Sequence, residues 1–516
     1  MFWIILSTGV ALFVYFFLIK PFSYWKERNV PSYSTLQTWS EIFFSLIQYR
    51  ALPDAIIKLY KDFPNSRYFG GYQFSKPIII IRNPDLIKQI TVKDFDHFVD
   101  HSMFAPMETE EKIELWQKNL VSLKGDQWRD MRATLSPSFT GSKMKMMFGL
   151  MTDCAKQFVK YFKDQNENTI ELEMKDVFTR FTNDVIASTA FGISCDSLRD
   201  RENEFYLMGK KATSFGENIL ENLKLICIFL FPRLMKALGK TLSDPKVDNF
   251  FRKIIRDNIK EREEKNIIRM DMIHLLMEAK KERSKPNDNS EENIQKRELT
   301  EEDITAQAMI FFFAGFETVA TLMCFMAYEL ALNPNIQQRL QTEIDDTLKE
   351  FNGTPTYEAV SKMKYMDAVV SESLRKWPVA VALDRLCVKP YTIHPVNDNE
   401  SPVHIKKGDS VLIPTMGFHR DPDYFPEPDR FDPDRFADEN KDGINAYAYV
   451  PFGSGPRSCI GNRFALMETK LVFFYLLSEF DITVIEKTQI PIKFSKKLQL
   501  APEKGFWLGL KQRSNK

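Results

Sequence analysis

The chain has 516 residues with 70 basic and 70 acidic side chains, so its formal net charge is zero and no basic footprint for nucleic acid is present. Six cysteines, at 154, 195, 227, 324, 387 and 459, lack C-x-x-C spacing and read as reduced thiols rather than a disulfide or zinc framework. The 43 Phe and 21 Met residues suit a large core that could hold an adaptable apolar cavity.

Met1 to Ile19 carries no charge and is closed by Lys20-Pro21, about the minimum length for a membrane-spanning helix. Positive charge (Lys20, Lys26, Arg28) comes only after it, which favours an uncleaved anchor over a signal peptide and puts the rest of the chain on the cytosolic side. Residues 67–81, with Y-F-G-G-Y-Q-F followed by P-I-I-I-I-R, read as strand, glycine turn and strand, and Asn83-Pro84 opens a helix.

From Asp85 to Leu276 helix-length amphipathic patterns dominate, with few strand signals. In G-D-Q-W-R-D-M-R, Trp128 and Arg132 stand four apart, so a helix would present an indole N–H and a guanidinium on one face, suited to a carboxylate. The competing reading is a solvated arginine. The apolar run Leu225 to Phe231 is too short to span a bilayer and reads equally as core or as a loop dipping into the membrane surface. Lys280 to Arg297 reads as a solvated connection.

Thr300 to Asp303 forms a T-x-x-D helix start, and the helical pattern then runs to Leu332, where Asn333-Pro334 stops it. Its centre, F-F-F-A-G-F-E-T, sets Gly315, Glu317 and Thr318 in an apolar helix. There Thr318 can bond the Ala314 carbonyl and bend the helix. Such polar groups point to a local opening where a ligand meets proton donors. Close packing on Gly315 is the bland alternative, and it leaves Glu317 without a purpose.

Lys362 to Lys376 reads as a helix with Glu372 and Arg375 three apart, a pair that alone is most often a surface ion pair. V-H-I and D-S-V-L-I-P then read as short strands, Pro422 to Phe436 as an ordered meander, and D-I-T-V-I, I-K-F and F-W-L-G-L as strands near the end.

Phe452 to Gly461, F-G-S-G-P-R-S-C-I-G, is centred on Cys459 and followed by an apolar helix-length stretch. The helix N-terminus and Arg457 together favour a thiolate, which could serve as metal ligand or nucleophile. The glycines free the backbone for sharp turns and close approach of a flat ligand. A dinucleotide fingerprint is set aside, because Ser458 occupies the third glycine position and no β-α-β pattern supports it.

Together these residues resemble the cytochrome P-450 superfamily of haem-thiolate monooxygenases, over essentially the whole chain. The cysteine pattern F-G-x-G-x-R-x-C-x-G falls on Phe452, Gly453, Gly455, Arg457, Cys459 and Gly461, and A-G-x-[D/E]-T falls on Ala314, Gly315, Glu317 and Thr318. E-x-x-R falls on Glu372 and Arg375, W-x-x-x-R on Trp128 and Arg132, and the meander motif on Phe431 to Phe436, with Asp434 in place of the commoner glutamate. The second departure is the hinge after the anchor, reduced to N-V-P-S.

The resemblance implies a mainly α fold with a smaller β-rich part (α+β), a long central helix over haem, and an N-terminal transmembrane helix. Residues 1–20 would be the anchor, 21–50 a linker and hinge, and 51–516 the catalytic domain. It makes Cys459 the ligand of haem b iron. Trp128, Arg132, Arg385 and Arg457 would face the propionates, with Ala314, Phe452 and Gly461 also at the cofactor. Glu317 and Thr318 would handle the protons of oxygen activation, and Glu372, Arg375 and Arg435 would form a structural ion network. Phe313, Val381 and Leu383 would line a pocket for lipophilic substrates, with residues near Phe98 to Met107 a vaguer addition.

The implied partners are O2 and NADPH–cytochrome P-450 reductase, with cytochrome b5 as a further candidate donor and the endoplasmic reticulum membrane as the location. F-F-F-A-G-F-E-T and L-R-K-W-P are similar to the animal microsomal branch that metabolises drugs and toxins, insect detoxification enzymes in particular. The alternatives are oxidation of an endogenous lipid or hormone, a haem-binding protein without oxygenase activity, and a cysteine hydrolase using Cys459. The last lacks a motif around any of its six histidines.

Overall fold

The computed structural model describes residue 8 and residues 14–73, 76–102, 115–213, 223–224, 227–228, 232–239, 244–269, 271–283, 298–398, 400–497 and 499–513. The chain divides into two compact units. One comprises Met1–Met103, Ala380–Arg430 and Asp442–Cys459; the other comprises Phe104–Val379, Phe431–Lys441 and Ile460–Lys516. The architecture is mainly helical with small sheets, the α+β class read from the sequence.

In the first unit, α1 (Thr35–Leu46) starts at a capping box between Ser34 and Gln37, and α2 (Leu52–Lys61) follows. The hairpin β1 (Tyr68–Gln73) and β2 (Lys76–Ile81) is antiparallel, with Tyr68 opposite Ile81. The glycines expected to turn this hairpin lie inside β1 instead. A Cβ at Gly70 would stand 2.2 Å from the buried Trp25 ring, so the glycine makes room for the indole, which donates to the Gly71 carbonyl at 2.8 Å. α3 (Pro84–Lys88) begins at Asn83, whose side chain accepts from the Leu86 amide.

The sheet is completed by β4 (Leu383–Leu386) and β7 (Ser410–Ile413), in the order β1-β2-β7-β4, with β7 parallel to β2 and antiparallel to β4. β5 (Tyr391–Ile393) and β6 (Val403–Ile405) form a separate pair.

The second unit is built on helices: α4 (Gly125–Leu135), α5 (Gly141–Lys163), α6 (Met174–Ile186), α7 (Glu204–Thr213), α8 (Pro245–Lys265), α9 (Met272–Arg283), α10 (Glu301–Leu332), α11 (Pro334–Glu350), α12 (Lys364–Lys376) and α13 (Asn462–Glu479). α10 starts where the sequence put it. The Thr300 hydroxyl accepts from the Asp303 amide at 3.1 Å, and Asp303 accepts from the Thr300 amide at 3.0 Å. At the far end Asn333 closes the helix on the Glu329 carbonyl before Pro334 opens α11. Among the described residues it is the helix long and apolar enough to cross a membrane, but it is mostly buried in protein and forms the core.

Two readings need correction here. β3 (Thr169–Glu173) lies in the stretch read as helical; it pairs with β9 (Trp507–Gln512), which also pairs β8 (Phe480–Thr483). Its T-I-E-L-E alternation was too short to stand out among helices. I-K-F forms no strand, only a bridge from Phe494 to Pro502. Lys280–Arg283 closes α9, and the rest of that charged connection lies outside the described residues, as do most of the expected anchor and most of Leu225 to Phe231.

Candidate active site

In the first unit the cysteine loop is a tight, self-bonded turn. The Gly453 amide donates to the Val450 carbonyl at 3.0 Å, Ser458 to Gly455 at 2.9 Å, and Cys459 to Phe452 at 2.8 Å. Gly453 and Gly455 take φ of 77° and 74°, the left-handed region that L side chains avoid. A Cβ at Gly455 would stand 1.8 Å from the Thr91 carbonyl oxygen. For Gly455, then, the close approach expected of a flat ligand is made by Thr91. The loop leaves Cys459 exposed, whereas the other five cysteines are buried or intermediate.

Beside this turn lie two arginines with different surroundings. Arg457 donates from Nε to the Val99 carbonyl at 2.7 Å, and its Nη2 lies 3.6 Å from Asp100 Oδ1. Arg385 is fully buried on β4; it donates to the Asp384 and Ser454 carbonyls at 2.7 and 3.1 Å. Its Nε has no hydrogen-bond partner, and among the described residues no carboxylate lies within ion-pair distance. Burial pulls its pKa down to about 10 despite the nearby Asp384 charge.

Asp384 itself is engaged elsewhere, by His101 Nδ1 at 3.0 Å and the Ser102 hydroxyl at 2.8 Å. A buried guanidinium with a spare donor and no anion suits an incoming carboxylate such as a porphyrin propionate. Two residues before Arg385 on β4, Leu383 packs within 3.9 Å of a Cβ built at Gly453, and the Val381 carbonyl accepts from Met416 at 2.9 Å.

In the second unit the expected opening sits at the middle of α10. Ala314 and Thr318, one turn apart, are exposed on a helix otherwise largely buried. The Thr318 hydroxyl donates to the Ala314 carbonyl, as its place in the sequence implied. Close packing at Gly315 is also real, since a Cβ there would stand 2.5 Å from Ile186 Cδ1 on α6.

That packing brings α6 near enough to supply the partner of Glu317. Lys175 Nζ lies 2.7 Å from Glu317 Oε1 and also donates to the Thr321 hydroxyl at 2.6 Å and the Glu317 carbonyl at 3.2 Å. Phe313 is half-buried, with its ring 5.5 Å from that of Trp116. Of the vaguer substrate segment, residues 103–107 lie outside the described residues.

Trp128 is buried and Arg132 half-buried one turn on along α4. Between them in sequence, Asp130 is held by a two-pronged ion pair from Arg283 of α9, both contacts at 2.9 Å. Glu372 and Arg375 on α12 are both fully inaccessible, so the pair is not a surface one. Arg375 grips the carboxylate through Nε at 2.7 Å and Nη2 at 2.8 Å, and the Asp432 amide donates to it at 2.9 Å. Arg435 Nε joins at 3.6 Å, while Asp434 turns to Arg339 at 2.7 Å. Burial raises the Glu372 pKa, and the guanidiniums oppose that shift. Gly461 caps α13 without a side-chain bond.

Neither Lys175 nor His101 is marked by a local motif, because each meets its partner, Glu317 or Asp384, from more than a hundred residues away. A matching family description, Cytochrome P450, covers residues 35–509. The chain is 44% identical to cytochrome P450 9e2 of Blattella germanica, covering 99% of this chain and 98% of that one. It is 44% identical to probable cytochrome P450 9f2 of Drosophila melanogaster, covering 95% of each. Against cytochrome P450 6k1 of Blattella germanica the identity is 37%, over 95% of this chain and 93% of the other.

Proposed function

Because this chain belongs to the cytochrome P450 family and is an oxidoreductase of the monooxygenase class, we propose that it inserts one oxygen atom of O2 into lipophilic small molecules, chiefly in detoxification. The single observation that carries the reading is the exposed Cys459 on a turn that its own backbone bonds hold rigid. Its insect relatives support the detoxification role; oxidation of an endogenous lipid is the second reading.

In this proposal Cys459 holds the iron of haem b, and Arg385 takes a propionate into its unmatched buried charge. Trp128, Arg132 and Arg457 give further donors, while Ala314, Phe452 and Gly461 border the ring. The haem–thiolate centre supplies oxygen activation and cleavage of the O–O bond. Glu372, Arg375 and Arg435 hold the meander in place, a structural role.

The remaining chemistry belongs to protons. Thr318 spends its own hydroxyl hydrogen on the Ala314 carbonyl, so its oxygen lone pairs are left to accept a hydrogen bond from water on the exposed side of α10. Glu317, held in reserve by Lys175, exchanges that partner for water and delivers protons to the same place. Phe313, Val381 and Leu383 offer apolar surface to the substrate.

Electrons come from NADPH through NADPH–cytochrome P450 reductase, with cytochrome b5 as a second donor. The chain sits on the endoplasmic reticulum membrane by a single N-terminal anchor, with its catalytic domain in the cytosol. α1 supports this, because it turns its apolar side chains outward: Leu36 is 83% exposed, Phe43 57% and Ile47, just past its end, 50%, while polar Thr38 is buried. The test is reconstitution with reductase, NADPH and a panel of lipophilic compounds. Oxygenated product supports the reading; haem binding with no NADPH-dependent product would establish a haem carrier or sensor instead.

A further inference from the structure

His419 is fully buried at the end of the turn Thr415–Phe418, in the same unit as the cysteine loop. Its Nε2 lies 3.0 Å from the Val450 amide nitrogen. An amide N–H can only donate, so Nε2 is the acceptor and the imidazole is neutral with its hydrogen on Nδ1. The ring stacks on Tyr449 with centroids 5.3 Å apart and planes 27° apart, which fixes its orientation. Val450 is in turn the first residue of the hydrogen-bonded turn that leads to the cysteine. Its carbonyl accepts from Gly453 at 3.0 Å, and the Phe452 carbonyl within that turn accepts from the Cys459 amide at 2.8 Å.

We propose that His419 is a positioning residue for Cys459, acting through this chain of backbone bonds. In its own unit the loop is supported from outside by the Thr91 carbonyl packed on Gly455, the Arg385 bond to the Ser454 carbonyl, the Arg457 bond to the Val99 carbonyl, and His419 on the Val450 amide. The first three restrain its middle. Of these, His419 restrains its entry and satisfies an amide that would otherwise be buried without an acceptor. A histidine suits the place because a rigid ring, clamped against Tyr449, presents one acceptor at a fixed point.

The inference rests on Cys459 being the iron ligand, and the test separates the two. Full-length His419→Leu, His419→Asn and an amide-to-ester replacement at Val450, which removes only that N–H, are compared by two readouts. These are the fraction of ferrous–CO complex with a thiolate-type band and the rate of haem transfer to apomyoglobin. The account expects His419→Leu and the ester to lose haem about tenfold faster and to shift toward a thiol-type band, with His419→Asn recovering much of the loss through its carbonyl acceptor. Should His419→Leu not fold, the ester decides. An ester variant with wild-type haem retention and band would overturn the proposal, as would a His419→Leu protein that folds and behaves as wild type. Absence of a thiolate band in the wild type would instead overturn the assignment of Cys459.

Discussion

Lys175 and Glu317 meet at 2.7 Å across the contact between α6 and α10, the same pair of helices that Gly315 lets approach at Ile186. The pair gives the acidic residue in an apolar helix a defined resting partner. Lys175→Met leaves that carboxylate without its cation and removes the donor to Thr321. The pair is about four-fifths buried, so the expected cost is about 1–3 kcal/mol, between the values for exposed and fully buried pairs. Thermal denaturation of the haem-loaded protein measures it, and an unchanged midpoint would mean that the pair carries no net stability.

Thr318→Ala removes the acceptor lone pairs on the exposed side of α10 while sparing the helix, since the lost bond is only to Ala314. Product formed per NADPH consumed is expected to fall at least about tenfold, with Thr318→Ser close to wild type. Equal coupling in all three proteins would remove Thr318 from the proton path.

Glu372→Ala strands the Arg375 guanidinium in a site with no solvent access. Removing one member of a buried pair costs about 3–5 kcal/mol, enough to prevent accumulation of a folded, haem-loaded protein. Glu372→Gln retains an acceptor and is expected to fall between. The yield of soluble, haem-loaded protein is the measure, and a normal yield from Glu372→Ala would contradict a buried ionised network.

Glu468 on α13 is fully buried with neither carboxylate oxygen hydrogen-bonded, and burial pushes its pKa well above the usual 4.5. Because the folded value exceeds the unfolded one, the stability tied to its proton is complete below pH 4.5 and is lost as pH rises toward the folded value. Glu468→Gln has no such loss. It should gain on wild type by up to about 1.4 kcal/mol for each pH unit above that point, until the folded value is passed. Denaturation midpoints that run parallel with pH in the two proteins would show an ionised or compensated Glu468.

What the sequence revealed was what lies close along the chain. The Thr300–Asp303 capping box, the Thr318–Ala314 bond and the Asn83 helix start all join residues three or four apart, and each is found as read. The sequence could raise the question of Glu317 but not answer it, because Lys175 is brought in by helix packing. The glycines show the same limit from the other side. Their identity signals a close approach, but whether to Trp25, Ile186, Thr91 or a ligand is decided by distant chain segments. His419 likewise has no local motif, and its importance to the Val450 amide appears only when the two segments are side by side.

The central claim is that Cys459 supplies the sulfur ligand of haem. Its most direct test is the ferrous–CO difference spectrum of the full-length protein beside Cys459→Ser. The account predicts a thiolate-type band in the wild type and its complete loss in the serine variant, together with loss of oxygenated product. A thiolate-type band that survives the substitution would contradict it.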